Sequence, residues 1–235
     1  MWRFLAPAFQ PTHRTVTFDY VGHGKSDLAA YDRGRYSSLA GYAQDIVEIC
    51  DELALTDVTL VGHSVSAIIG LLAAIDRPKL FRALVMLSPS PAYINDGDYK
   101  GGFTRGDIDG LLETLDSNYL GWAATMAPVI MGVPERPELS QELTNSFCRT
   151  DPEIAKQFAH ATFLSDNRAD LPRCPVPSLI VQCTHDAIAP VSVGTYMHAH
   201  MPRSTLAMIE TTGHCPHLSA PEPTIAAMRR FMTTV

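Results

Sequence analysis

The chain has 235 residues, 46% hydrophobic and 18% charged, with a formal net charge of −7. That length fills one α/β domain over residues 1–235 without demanding a second, and the acidic balance, with no basic stripe, excludes nucleic acid as the main partner. Five scattered cysteines (Cys50, Cys148, Cys174, Cys183, Cys215) lack C-x-x-C spacing and read as reduced thiols, no apolar run reaches membrane-spanning length, and Met1–Phe4 opens no signal peptide, so the expected compartment is the cytoplasm.

Met1 to Phe9 carries Trp2, Leu5 and Phe9 at helical spacing and is stopped by Pro11. Arg14 to Asp19 alternates and is rich in β-formers, which predicts a first strand. Gly24-Lys25-Ser26 invites comparison with a phosphate-binding loop, but that loop needs a glycine where Asp19 stands, so the segment reads as a turn. Ser38 to Leu55 places Leu39, Tyr42, Ile46, Ile49 and Leu53 on one stripe, with Gln44, Asp45, Glu48, Asp51 and Glu52 away from it. That is an amphipathic helix.

Val58 to Val61 is a short, β-branched-rich run, and Ala67 to Ala74 starts a helix. Between them the chain must reverse within a few residues, with Ser64 at the apex of Gly62-His63-Ser64-Val65-Ser66. This is the pattern of a nucleophile elbow, which pushes the serine hydroxyl out of the sheet edge. The Val65 N–H would then point at the oxygen that becomes negative on attack. The usual last glycine is Ser66 here, a small residue that weakens the pattern without breaking it.

Ala83 to Leu87 is the next buried strand and opens into Ser88-Pro-Ser-Pro91, a rigid exit loop. From Tyr93 to about Asp170 the segments around Leu111–Met126, Leu139–Cys148 and Ile154–Phe163 are helical, with no convincing strand between them. An all-helical insertion between strands predicts a cap over the site. Strands resume at Ser178–Gln182 and Thr205–Ile209, with helices at Val191–Met201 and Pro221–Met232. Alternating strands and helices predict a mostly parallel sheet covered on both faces. The expected division is a core of residues 1–91 and 171–235 and a cap of residues 92–170.

Asp186 and His214 lie just past the last two strands, where functional groups collect in open α/β sheets. Serine is a poor nucleophile at neutral pH, so a histidine must take its proton, and an aspartate must hold that histidine. The order Ser64, Asp186, His214 is that of the α/β-hydrolases. His185 reads as a loop residue, and His217 as a structural hydrogen-bonding residue rather than a second base. His198-x-His200 and His214-Cys215-x-His217 could be imagined as a zinc set, but the first pair falls on different faces of its helix. No metal and no cofactor is expected.

The stretches Phe18–Asp27, Gly41–Asp45, Gly62–Val65, Asn95-Asp96, Tyr99–Phe103, Asn118–Trp122, Asp186–Pro190 and Gly213–His217 together resemble the RsbQ-type α/β-hydrolases, bacterial stress-signalling relatives of the plant karrikin and strigolactone receptors. The resemblance covers essentially the whole chain, cap included. It implies Ser64 as nucleophile, His214 as base, Asp186 as its partner, and a hydrophobic pocket beneath a four-helix cap. Trp122 and Phe163 fall where that family lines its pocket, with Met126 and Ile188 placed beside them; by pattern alone the two aromatics fit an ordinary cap core equally well. The implied activity is hydrolysis of an ester, lactone or related bond in a small hydrophobic molecule, or sensing of such a ligand to activate a sensor-linked protein phosphatase.

Relatives of this type begin with further strands and a loop that donates the second oxyanion N–H. Here the chain starts at what resembles the helix after that loop. The expectation is either a shortened chain or one that departs from the family at its centre, the shortened chain being favoured, with a strand wanting between those of Phe18 and Leu60.

Overall fold

The computed structural model describes every residue from Met1 to Val235. Four parallel strands, β1 (Val58–His63), β2 (Phe81–Leu87), β3 (Ser178–His185) and β4 (Ser204–Thr212), lie side by side in that order. In β2, Leu84 and Met86 point to one face of the sheet while Ala83, Val85 and Leu87 point to the other, the two-residue period of a pleated strand. Both β2 and β3 are buried almost throughout, as strands covered on both faces must be. By contrast β1 and β4 are half-exposed, because each is hydrogen-bonded on one side only.

On one face, α2 (Leu39–Glu52), α3 (Val65–Asp76) and α8 (Val191–His200) bring Tyr42, Ile46, Ile68, Ile69, Val193 and Met197 against Leu84, Met86 and Ile180. On the other, α1 (Leu5–Phe9) and α10 (Pro221–Met232) bring Leu5, Phe9, Met228 and Phe231 against Val85 and Val181. The expected polar face of α2 has one exception. Asp45 is buried, where it accepts hydrogen bonds from the Tyr36 hydroxyl (3.0 Å) and the Arg35 guanidinium (2.6 Å). Burying a carboxylate is tolerable only with such partners.

Between β2 and β3 stand four cap helices, α4 (Arg105–Ser117), α5 (Tyr119–Met131), α6 (Pro137–Phe147) and α7 (Pro152–Phe163). The expected single helix through Leu111–Met126 is two helices. Asn118 breaks it with φ −149° and ψ 76°, and its side chain caps α5 by accepting from the Gly121 N–H at 3.0 Å. A last short helix, α9 (Pro216–Ser219), joins β4 to α10.

The expected strand at Arg14–Asp19 does not form. The segment carries no regular secondary structure and no backbone ladder, and Val16 and Phe18 are both 39% exposed. Alternation supplies the propensity for a strand, but a strand exists only with a hydrogen-bonded neighbour, and the outer edge of β1 is not paired with this segment. The adjoining turn is held by Asp19, whose carboxylate accepts from the Lys25 N–H at 3.0 Å. A carboxylate fills the space where a phosphate-binding loop would need to be open, as the sequence anticipates.

Candidate active site

Ser64 sits between β1 and α3 with φ 55° and ψ −128°. A non-glycine residue held at positive φ costs about 1–3 kcal/mol and persists only where its surroundings force it. Two contacts do so here. The Ser64 N–H donates to the Leu87 carbonyl (2.8 Å), and the Ala67 N–H donates to the Ser64 carbonyl (3.0 Å). Gly62 is the residue the turn cannot spare, since a Cβ there would lie 2.6 Å from the Ser66 carbonyl oxygen. Ser66 itself is accommodated. Val65 opens α3, so its N–H is one of the first-turn donors with no partner inside the helix.

Asp186 follows β3 directly and is closed to solvent. Its Oδ1 accepts from the N–H groups of Ile188 (2.8 Å) and Ala189 (3.0 Å), which fixes the carboxylate plane. Oδ2 faces Nδ1 of His214 at 2.7 Å, and Nε2 of the same ring faces the Ser64 hydroxyl at 2.7 Å. A carboxylate can only accept, so His214 Nδ1–H donates to it. Nε2 is then bare and accepts the Ser64 proton. Such a relay can turn a hydroxyl into a nucleophile at neutral pH. Residues 64, 186 and 214, expected to converge from their places after three strands, do converge.

The loop carrying His214 is tied down on three sides. Its N–H donates to the Ile130 carbonyl of α5 (2.8 Å), and Gly213 N–H donates to the His185 carbonyl (2.7 Å). The His214 carbonyl accepts from Nε2 of His63 at 2.7 Å. Burial pushes the His63 imidazole down to about 3, so it is neutral and one nitrogen is free to donate in that bond. Sequence reading did not single out His63, although its place in Gly62-His63-Ser64 beside the apex is a usable signal.

A cavity of 1270 Å³ opens over Ser64 and His214 and runs beneath the cap. Trp122, Met126, Phe163 and Ile188, the expected pocket residues, all line it. Trp122 is also 8% exposed and packed with Tyr119, Ile108 and Leu115 in the cap core, so the two readings of its pattern are not exclusive. Tyr93, which sequence reading passed over, stands at the inner wall with its hydroxyl 3.4 Å from Ser64 Oγ.

His217 differs from expectation. Neither of its ring nitrogens has a hydrogen-bond partner, so it is not a structural hydrogen-bonding residue. It is held by ring packing, with Trp2 at 5.0 Å and His63 at 4.5 Å between centroids. Burial lowers its affinity for a proton well below the ordinary imidazole value. His63, Cys215 and His217 bring ligand-type atoms within 4.8 Å of one another. His198 and His200 lie elsewhere, on α8, with Nδ1 atoms engaged by the Ser204 hydroxyl and the Tyr196 carbonyl.

The same fold recurs in other proteins. The chain is 40% identical over 233 residues to a probable esterase of Oryza sativa subsp. japonica, covering 99% of this chain and 86% of the relative. It is 34% identical over 232 residues to a strigolactone esterase of Arabidopsis thaliana, covering 98% of this chain and 86% of that one. Among solved structures, a hydrolase from Oleispira antarctica superposes with a TM-score of 0.97 at 42% identity, over 100% of this chain and 86% of its own. The model of the Alpha/beta hydrolase family matches residues 1–227. With four parallel strands, a serine at the first turn and a cap between the second and third strands, the chain belongs to the α/β hydrolase family.

Proposed function

We propose that this protein is a serine hydrolase that cleaves an ester, lactone or related bond in a small hydrophobic molecule. The observation that carries the reading is the unbroken relay from Ser64 Oγ through His214 to Asp186, with both hydrogen bonds at 2.7 Å, opening on a cavity lined mainly by hydrophobic residues. Ser64 attacks the carbonyl carbon while its proton passes to His214 Nε2. Asp186 stabilises the imidazolium, and the Val65 N–H receives the oxyanion. His214 then returns the proton to the departing oxygen, and water repeats the sequence on the acyl-enzyme. Trp122, Phe163, Met126 and Ile188 hold the hydrophobic part of the substrate. The names of the similar rice and Arabidopsis proteins, both esterases, support the bond type.

The test is Ser64→Ala, assayed on small aryl esters beside mass spectrometry of the unaltered protein. Removing one member of such a relay typically costs about four to six orders of magnitude in rate. We expect that loss, and an acyl adduct on Ser64 in the unaltered chain. A variant that keeps more than a tenth of the activity would sink the assignment.

A second reading has support of its own. A karrikin insensitive 2 receptor of Petunia hybrida is 38% identical over 234 residues, and the sequence resembles RsbQ-type stress-signalling hydrolases. In this reading the cavity senses a ligand and the protein activates a partner, a sensor-linked protein phosphatase of the cytoplasm. No helix is long and apolar enough to cross a membrane. Signalling that survives Ser64→Ala would favour sensing over turnover.

A further inference from the structure

We propose that Tyr93 is a further catalytic residue, donating a hydrogen bond to the departing oxygen in the first half-reaction and to the attacking water in the second. The inference rests on the hydrolase reading above. Ser64 has one hydroxyl proton, and it is committed to His214 Nε2 at 2.7 Å. At the 3.4 Å contact between Ser64 Oγ and the Tyr93 hydroxyl, Tyr93 is therefore the donor. No other hydrogen bond engages that hydroxyl. Burial pushes its pKa up to about 12, so the proton stays on. The ring is 1% exposed and set edge-on against Phe163 at 5.0 Å, which fixes where the hydroxyl points.

At 3.4 Å the bond is slack, since O–H···O contacts prefer about 2.7–2.8 Å. An interaction that is weak at rest and tightens during reaction is the kind that accelerates chemistry. When Ser64 Oγ bonds to carbon it becomes a poor acceptor, and the nearest better acceptors are the other oxygens on that carbon, one bond further away. Position in the sheet separates them. Val65 N–H lies at the start of α3, after β1 at the sheet edge. Tyr93 follows β2, on the side from which β3 and β4 deliver Asp186 and His214. The oxygen within reach of Tyr93 is then the one that His214 must protonate. Leaving alcohol and attacking water occupy the same place by microscopic reversibility, so one hydroxyl serves both steps.

Tyr93→Phe removes one oxygen and keeps the ring. We would measure kcat/KM for esters sharing one acyl group, with alcohols running from nitrophenol to simple alkyl. Nitrophenolate needs little help to depart, so its ester should lose less than about 3-fold. The alkyl esters should lose roughly 10- to 100-fold, somewhat less than loss of an oxyanion donor costs. Site-specific 3-fluorotyrosine at position 93, a stronger donor of nearly the same shape, should flatten the dependence on the alcohol, and it keeps the question answerable if the phenylalanine variant folds poorly. An equal loss across the series, or none, would overturn the role of Tyr93 while the acyl adduct on Ser64 still formed. Absence of that adduct would instead sink the hydrolase reading beneath it.

Discussion

Gly213→Ala tests how tightly the cap holds the proposed base. Gly213 has φ +98°, and a Cβ there would lie 1.9 Å from the Met131 carbonyl oxygen at the end of α5. Real Cβ contacts essentially never fall under 3.0 Å, so loop and helix must part by about 1.1 Å (3.0 − 1.9). The next residue is His214, whose ring spans 2.7 Å bonds to Ser64 and Asp186. Moving it by that distance takes at least one bond past hydrogen-bonding range, and a misplacement of about 1 Å costs on the order of 10² in rate. Positive φ and the displaced contact together cost about 1–3 kcal/mol, a Tm loss of about 2–12 °C for a chain of this size. Aryl-ester kinetics beside thermal melts would read both. The control is Gly110→Ala on α4, where nothing lies within 4 Å of the added Cβ; it should leave the rate alone and, by helix propensity, raise stability by up to about 1 kcal/mol. A Gly213→Ala protein within 3-fold of full activity would refute the claim that this contact sets the base.

Trp122→Ala should raise KM or shift acyl-chain preference more than it lowers stability if the ring serves the pocket; if it is only cap core, melting should show a loss of about 3–5 kcal/mol with kinetics little changed. Acid sensitivity should trace to the buried imidazoles. His63 is pushed down to about 3 and His217 well below the ordinary value, so the unfolded chain binds their protons first as pH falls below 6.5. Stability is complete above that value and declines as pH drops towards 3, by about 1.4 kcal/mol per pH unit for each ring. His217→Phe, which keeps a ring between Trp2 and His63, should lower that slope by roughly a third to a half in denaturant melts between pH 6.5 and 5, since burial also holds the His23 imidazole down; an unchanged slope would place the acid sensitivity elsewhere.

The strands β2 and β3 were legible because a strand buried on both faces is a continuous apolar run, and Ala83–Leu87 and Ser178–Gln182 are such runs. Arg14–Asp19 has the alternation of a strand but lacks a paired edge, and pairing is a tertiary fact that no local pattern encodes. Asn118 was hidden for a different reason. Both α4 and α5 bury one side in the same cap core, so apolar residues continue at helical spacing across the break. Ser64, Asp186 and His214 could be found despite separations of 122 (186 − 64) and 28 (214 − 186) residues because each lies within two residues of a strand's end. In a parallel sheet, strand order then does the gathering. Tyr93 lies six residues (93 − 87) past the end of β2, further from its strand than the other three. It was overlooked because Ser88-Pro-Ser-Pro91 reads as a rigid loop rather than as a wall of the site.

The cap and the core chemistry meet on one helix. Trp122, Met126 and Ile130 are four residues apart along α5 and line the cavity together. The carbonyls of Ile130 and Met131 end that row, one accepting from the His214 N–H and the other pressed against Gly213. A ligand that shifts α5 by its contact with Trp122 therefore shifts the anchor of His214, because packed segments in this close contact move together rather than yield. About two turns of helix separate the pocket residue Trp122 from the carbonyl that holds the His214 N–H. This bears on the choice between turnover and sensing. A chain that hydrolyses needs His214 held still beneath an occupied cap, and a chain that signals needs the cap to change when the pocket fills. Both demands would fall on α5 and on the Gly213 contact, so the two proposed readings draw on one set of residues.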